Sequence, residues 1–203
     1  MACEGNEISD ERIGEALIIQ VMEGELKKVP SEEVPPLTAH QEVNELEEKI
    51  VVQVAQMVRI VGDKLEHDTE FHDAIDGMFL GPGSKSERFM QLVNKVFEHG
   101  QITWGRIAVL LYVAGRLAVK MVEAHLPQSV KDILRWTLDY FRNTLLGWIR
   151  DHGGWINSFS ELARAPMRSV SWLSSHTCGF IVITFIAGMG IGGIISWKLA
   201  KGT

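Results

Sequence analysis

Apolar residues recur at steps of three and four along most of the chain, which is the spacing of one face of an α-helix. The first such stretch follows an N-cap signal at Ser9-Asp10-Glu11, so a first helix is predicted over 9–26 after a flexible N-terminus over 1–8. Three prolines among acidic residues predict a linker over 27–45. No alternating strand pattern with hairpin turns occurs, and the sequence therefore predicts an all-α fold.

The most apolar stretch before the C-terminus runs from Ile107 to Gly115 and contains no charge, although Arg106 and Arg116 flank it. A helix that is apolar on every side must be surrounded by other helices or by lipid. Pro127 separates it from a second helix that has one charged face. These features predict a hydrophobic helical hairpin at the centre of the fold.

The stretch from Cys178 to Trp197 has 20 residues and no charge. As a helix it would be about 30 Å long, the thickness of a bilayer's hydrocarbon core. The sequence therefore predicts a membrane anchor helix over 178–199, joined by a linker over 166–177 to a helical core over 46–165. A buried core helix is the alternative, and five glycines in the stretch favour a marginal anchor. The candidate anchor residues are Cys178, Phe180, Phe185, Gly188, Gly192, Trp197 and Lys198.

The amino-acid composition limits the classes of function that this chain can have. Hydrophobic residues make up 46% and charged residues 23%, which is ordinary for a globular protein. The net charge of −6 includes no basic block, so nucleic acid is not an expected partner. Two cysteines at opposite ends argue against a disulfide framework. The acidic N-terminus lacks the features of a signal peptide, so we expect synthesis and residence in the cytosol unless the tail directs the chain elsewhere.

No pattern of catalytic chemistry is present. The seven histidines lack metal-ligand spacing, and the segment Gly81–Ser86 lacks the order of a phosphate-binding loop. No local signature marks a nucleophile. We therefore expect no enzyme activity, no catalytic residue, no metal and no cofactor.

One helical segment, VAQMVRIVGDKL from Val54 to Leu65, is similar to the third homology motif of the Bcl (B-cell lymphoma two) family of apoptosis regulators. Such a helix can lie with its apolar stripe in a groove while one carboxylate meets a cation. An ordinary amphipathic core helix is the alternative for this segment alone. The motif residues are Val54, Val58, Val61, Gly62, Asp63 and Leu65.

Two further segments resemble the family's first and second homology motifs. VFEHGQITWGRI ends at Ile107 and resembles the first, with Thr103 in place of the usual asparagine. WIRDHGGW begins at Trp148 and resembles the second. All three motifs stand in family order before an apolar tail. The groove residues implied by the first motif are Trp104, Gly105 and Arg106, and the residues of the second motif are Trp148, Gly153, Gly154 and Trp155.

The resemblance implies a Bcl-type helical bundle around a central hydrophobic hairpin, with a C-terminal helix that spans a membrane or fills the chain's own groove. Segments 11–20 and 136–149 look like the Bax-like members. The groove would be lined by the second to fifth helices, with Asp63 paired to Arg106. Replacing Gly62 by glutamate would then abolish assembly without unfolding the monomer.

By the same resemblance, the chain would be a pro-apoptotic effector that oligomerises and permeabilises the mitochondrial outer membrane, releasing cytochrome c. Its implied partners are other Bcl-family proteins, death-promoting helical peptides, copies of itself and lipids of that membrane. It would rest in the cytosol and move to the mitochondrial outer membrane, with the endoplasmic reticulum as a second location. A pro-survival member that sequesters death-promoting helices is the alternative, and a tail-anchored scaffold or pore domain is a third.

Overall fold

The computed structural model describes residues 2–31, 34–38, 42–80, 83–97 and 101–155, and all regular structure in these ranges is helical. This confirms the predicted fold class. The helices are α1 (Ala2–Leu26), α2 (Glu45–Leu65), α3 (Thr69–Leu80), α4 (Lys85–Val96), α5 (Trp104–Glu123), α6 (Gln128–Tyr140) and α7 (Leu146–Asp151), with a π-helical turn (Phe141–Leu145) between α6 and α7.

Helix α1 begins at Ala2, whereas the sequence predicts a start near Ser9. Ser9 lies inside the helix, and its Oγ donates a hydrogen bond of 2.8 Å to Glu47 Oε1 of α2. Asp10 is buried and accepts hydrogen bonds from Trp155. The predicted N-cap is therefore wrong, because both side chains bind other elements of the fold instead of their own helix.

The start of α2 is held by a capping box. Asn44 Oδ1 accepts from the N–H groups of Leu46 and Glu47 at 3.0 and 2.9 Å, and Glu47 Oε2 accepts from the Asn44 N–H at 2.9 Å. The Glu47 carboxylate is buried and also pairs with Arg12 of α1. One side chain thus fixes where α2 begins and ties that end to α1.

Glu47 should make the fold sensitive to acid. Burial raises the pKa of Glu47, but hydrogen bonds from Arg12, Asn44 and Ser9 outweigh burial and leave this pKa below its ordinary value of 4.5. A lowered folded-state pKa gives stability that is present above pH 4.5 and lost as the pH falls below it. We expect Glu47→Gln to lower the free energy of unfolding by about 1–3 kcal/mol near pH 7 and to reduce its dependence on acid.

Urea unfolding from neutral pH to about pH 3 measures this effect. Glu45→Gln is the matched control, because Glu45 pairs with Lys49 on the exposed surface of the same helix. If the Glu47→Gln variant and the wild type lose stability equally steeply in acid, the Glu47 contacts do not contribute in solution.

Helix α5 lies at the centre of the fold. Sixteen of its 20 residues are buried, and it contacts α1, α2, α3, α4 and α6. A four-residue connection leads to α6 and contains His125 with a φ of +56°. The predicted central hairpin is confirmed, and its apolar helix is surrounded by other helices.

The glycine-rich segment before α4 serves as a helix start. Ser84 Oγ accepts from the Glu87 N–H at 3.2 Å, and the Glu87 carboxylate accepts from the Ser84 N–H at 2.7 Å. Lys85 Nζ donates to Ser129 Oγ at 2.9 Å and so links α4 to α6. These are structural contacts, in agreement with a plain loop and helix cap at 83–87.

None of the helices within the described ranges combines the length and apolarity needed to cross a membrane. The predicted linker over 166–177 and anchor over 178–199, including Cys178 to Lys198, lie outside the described residues.

Candidate functional site

The apolar face of the third homology motif packs inside the chain's own core. Val54, Val58, Val61 and Leu65 are all buried, and so is Gly62. A Cβ on Gly62 would lie 2.5 Å from Tyr112 Cδ2, so α2 and α5 approach each other more closely than a larger residue would allow. The face that a partner groove would bind is therefore covered in this state.

Asp63 and Arg106 do not form the predicted ion pair among the described residues. Asp63 is exposed. Arg106 is 3% exposed, and its Nη1 donates to the Gln101 carbonyl at 2.9 Å. The reason is the helix register: Gly62 faces Tyr112, which lies about 9 Å along α5 from Arg106, and Asp63 points about 100° away from Gly62. The prediction is wrong for the single chain.

The first and second homology motifs meet in a cluster of three tryptophans. The ring centroid of Trp104 lies 5.2 Å from that of Trp148 and 5.4 Å from that of Trp155. Trp104 and Trp155 are buried, and Trp148 is partly buried. These distances are typical of favourable aromatic pairs. The cluster fixes the start of α5 against the end of α7.

The double glycine of the second motif lets the chain turn onto α1. Gly153 and Gly154 have φ values of +86° and +71°, a conformation that favours glycine. A Cβ on Gly154 would lie 2.7 Å from Asp10 Oδ1. Both the backbone conformation and the available space therefore exclude a larger residue at this position.

Asp10 is a site residue that the sequence analysis missed in this role. Its Oδ1 accepts from the Trp155 N–H and its carbonyl accepts from the Trp155 indole N–H, both at 2.9 Å. Burial raises the pKa of Asp10, against the opposing effects of the Trp155 N–H and the Arg150 charge. Asp10 thus behaves as a capping residue, but it caps the N–H of Trp155 instead of its own helix.

Comparisons with known proteins agree with this geometry. The family model for apoptosis regulator proteins of the Bcl-2 family matches residues 58–155, which contain the first and second motifs and the second half of the third. The chain belongs to the Bcl-2 family. As a member of this family, the chain is an apoptosis regulator.

Three relatives illustrate the likeness. Apoptosis regulator BAX from Bos taurus is 28% identical over 146 residues, which are 72% of this chain and 69% of that protein. Bcl-2-like protein 1 from Homo sapiens is 28% identical over 152 residues, 70% of this chain and 60% of that protein. The crystal structure of chicken BOK superposes with a TM-score of 0.60 at 21% identity, covering 76% of this chain and 97% of that one. The BOK likeness supports the Bcl-type fold.

In this Bcl-2 family protein, Thr103 of the first motif is the N-cap of helix α5. Its Oγ1 accepts from the Arg106 N–H at 3.3 Å and caps α5. Threonine is among the preferred N-cap residues, so it serves here in place of the usual asparagine. The substitution keeps Trp104-Gly105-Arg106 on the first turn of the helix.

A second contact that the sequence analysis missed joins α1 to the hairpin. Arg142 on the π-helical turn pairs with buried Glu15 and lies 3.5 Å from Glu11 Oε1. A Cβ on Gly14 would lie 2.6 Å from Phe141 Cε2. Phe141 and Arg142, at the start of the π-helical turn, therefore both contact α1. Helix α1 is therefore packed into the core of the fold.

The four helices assigned to the groove walls are neighbours. Helices α2, α3 and α4 each contact α5, and the Phe71 ring of α3 stacks on Tyr112 at a centroid distance of 5.6 Å. Within the described part of the chain, no three His, Cys, Asp or Glu side chains are placed to share a metal ion.

Proposed function

We propose that this chain is a pro-apoptotic effector that oligomerises and permeabilises the mitochondrial outer membrane, releasing cytochrome c. The observation that carries the proposal is the position of the third motif, whose apolar face is buried against α5 while Asp63 is exposed. A chain that keeps its partner-binding face in its own core presents it only after α2 leaves. Assembly is then controlled by a shift between two states of α2.

Release of α2 requires the loss of both its apolar packing and its polar contacts. The helix packs on α5 and α1, and its first turn is held by the pair between Glu47 and Arg12. A helix bound in the groove would favour the released state by its differential affinity for the two states. Once released, α2 of one chain would lie in the groove of a neighbour, where Asp63 would meet Arg106 of the other chain.

The hairpin provides the element that would then enter lipid. Helix α5 is apolar on nearly every side and is covered by protein in the resting chain. In the second state, lipid would replace the surrounding helices as the apolar environment of α5. We propose that segment 178–199 anchors the chain in the mitochondrial outer membrane, with the cytosol as the resting location and the endoplasmic reticulum as a second membrane.

The alternative is a pro-survival member that uses the same groove to sequester death-promoting helices. Identity is 28% both to apoptosis regulator BAX and to Bcl-2-like protein 1, so overall similarity does not choose between them. The resemblance of segment 136–149 to Bax-like members favours the effector. Expression in cultured cells separates the two: an effector kills the cells, and a pro-survival member protects them from a death stimulus.

Purified chain should release dye from liposomes of mitochondrial outer-membrane composition when a synthetic third-motif helix is added. The helix is needed because α2 otherwise stays packed on α5. Fluorescence dequenching measures the release, and chain without the helix is the control. If release is absent at every ratio of helix to chain, the effector proposal is wrong.

A further inference from the structure

A cleft of about 500 Å³ between α1 and α2 carries an excess of positive charge, although the chain has a net charge of −6. Lys27 and Lys28 line it from the turn that follows α1, and Arg59 lines it from α2. Glu25 is the one carboxylate among the described residues that line it. Because a cleft of this charge concentrates anions, it is a candidate anion site. The proposed release of α2 gives these side chains no role.

The cleft is open because a glycine faces it. Arg12 of α1 pairs with Glu47 at the start of α2, and further along both helices Gly24 and Arg59 line the cleft. The two helices therefore run side by side in the same direction. A Cβ on Gly24 would meet no atom within 4 Å, so the space beside it is not filled by the described residues.

The carboxylate at the cleft is already paired, whereas two of the cations are not. Glu25 is 4% exposed, its Oε1 accepts from Lys28 Nζ at 2.7 Å, and its Oε2 lies 3.8 Å from Arg116 Nη1. Lys27 and Arg59 are exposed, and neither forms an ion pair within the described ranges. Both charges are therefore available to an anion from outside the chain.

The two available cations can meet at one anion. Packed helices lie about 8–10 Å apart, and lysine and arginine have long side chains with a charged end, so Lys27 and Arg59 can reach across the cleft from opposite sides. A guanidinium offers two parallel N–H groups that match two phosphate oxygens, and an ammonium supplies a point charge with three donors. The amides of Gln20 and Gln56, which also line the cleft, are donors for the remaining oxygens.

Charge and shape select a phosphate ester among anions. A phosphate monoester has a charge of about −1.5 to −2 near pH 7, which balances two cations, whereas a carboxylate balances only one. Val52 also lines the cleft and is 48% exposed, although it is a large apolar residue. The organic part of a phosphate ester would cover this side chain, and an inorganic anion would leave it in water.

We propose that the α1–α2 cleft binds a small organic phosphate, with the phosphate group between Lys27 and Arg59 and the organic part against Val52. Such a ligand joins α2 to the end of α1. It therefore stabilises the closed chain by mass action and opposes the release of α2. This regulatory consequence rests on the proposed function, whereas the binding itself does not. A soluble phosphate ester and the phosphomonoester headgroup of a lipid share this chemistry, and experiment separates the two sources.

Glycerol 3-phosphate is the soluble probe of the site, and glycerol, which lacks the phosphate, is its control. Each is titrated into the full chain while the methyl resonances of Val52 and Ala55 are followed by NMR. Glycerol 3-phosphate should shift these resonances saturably below about 10 mM, and glycerol should leave them unchanged. Added salt should weaken the binding, because the contacts join charges near the surface. Absence of saturable shifts, or equal shifts with glycerol, overturns the proposal.

Arg59→Gln tests the guanidinium directly. It should weaken glycerol 3-phosphate binding at least about threefold, because a charge-assisted hydrogen bond is lost. Its melting temperature should stay close to that of the wild type, since Arg59 is exposed. Arg135→Gln, the same change at an exposed arginine of α6 outside the cleft, should leave binding unchanged. Unchanged affinity in Arg59→Gln, or equal loss in Arg135→Gln, contradicts the assigned role.

Gly24→Glu places a carboxylate inside the cleft without a steric clash, because a Cβ there meets nothing within 4 Å. The new carboxylate should pair with the cations and weaken phosphate binding at least about tenfold. The melting temperature should not fall, since glutamate has a higher helix propensity than glycine. Gly147→Glu on α7, where a Cβ also meets nothing within 4 Å, should leave binding unchanged. Phosphate binding that persists in Gly24→Glu refutes the site.

Lys27→Gln separates the two sources of phosphate. Wild type and variant are sedimented with phosphatidylcholine vesicles that contain or lack phosphatidic acid. Weaker sedimentation of the variant with phosphatidic acid alone identifies a lipid headgroup as the ligand. Equal sedimentation, together with weaker binding of glycerol 3-phosphate by the variant, identifies a soluble phosphate. A variant that binds glycerol 3-phosphate as tightly as the wild type overturns the proposal.

Dye release gives an independent readout of the consequence for α2. Saturating glycerol 3-phosphate should slow helix-triggered release by the wild type at least about threefold and leave release by Lys27→Gln unchanged. Release by the wild type that is unaffected by bound glycerol 3-phosphate refutes the regulatory role. Failure of all release refutes the proposed function and leaves the NMR result standing.

Discussion

Gly62→Glu should destabilise the resting chain by about 3 kcal/mol or more, measured by urea or thermal unfolding. A Cβ at this position would lie 2.5 Å from Tyr112 Cδ2, and the carboxylate beyond it would be buried beside an apolar ring. The chain must either expel α2 or shift α5, which is fully packed. The sequence-based expectation that this variant leaves the monomer folded is therefore revised.

Gly77→Glu on α3 is the matched control for this prediction. Gly77 is exposed and a Cβ there would meet nothing within 4 Å. The same residue change should alter the free energy of unfolding by less than about 1 kcal/mol. If Gly62→Glu melts at the wild-type temperature, α2 does not pack on Tyr112 in solution.

Asp63→Arg should lower assembly and dye release at least about tenfold while leaving the monomer as stable as the wild type. Asp63 is exposed in the resting chain, so its charge contributes little to folding. In the proposed dimer the new arginine would face Arg106 of the neighbouring chain, and like charges at a desolvated contact repel strongly. Cross-linking and liposome release after addition of a third-motif helix measure the effect.

Asp73→Arg provides the control for this experiment, because Asp73 is also exposed but lies on α3, outside the third motif. It should assemble and release dye as the wild type does. An Asp63→Arg chain with normal assembly would show that the carboxylate of the third motif does not meet Arg106 between chains. Equal melting temperatures of the two variants would show that the result reports on assembly alone.

Much of the helical layout follows from local sequence. The stripe from Ile50 to Leu65 identifies one face of α2 as apolar, and that face is buried. The uncharged run after Arg106 requires cover on every side, and five helices contact α5. Gly153-Gly154 predicts a turn between helices, and both residues have positive φ. In each case the determining physics is the side-chain spacing within a few turns of chain.

Other features were decided only by the tertiary structure. Asp10 lies in a region with an N-cap signal, yet it caps Trp155, 145 residues away. Arg142, on the π-helical turn, pairs with Glu15 across 127 residues. Spacing along the chain cannot specify such pairs, since it defines which residues share a face and not which helix covers that face.

Local sequence and tertiary packing both determine the structure of the third homology motif. Its sequence by itself determined an amphipathic helix with a small residue before a carboxylate. Only the packing decided that Gly62 faces Tyr112, that Asp63 is exposed and that Arg106 lies elsewhere. The same packing buried Tyr112 Oη and Glu25 Oε2 without a hydrogen-bond partner among the described residues. The physical reason is that close approach and burial depend on where several distant helices meet, whereas helix formation depends on neighbours in the chain.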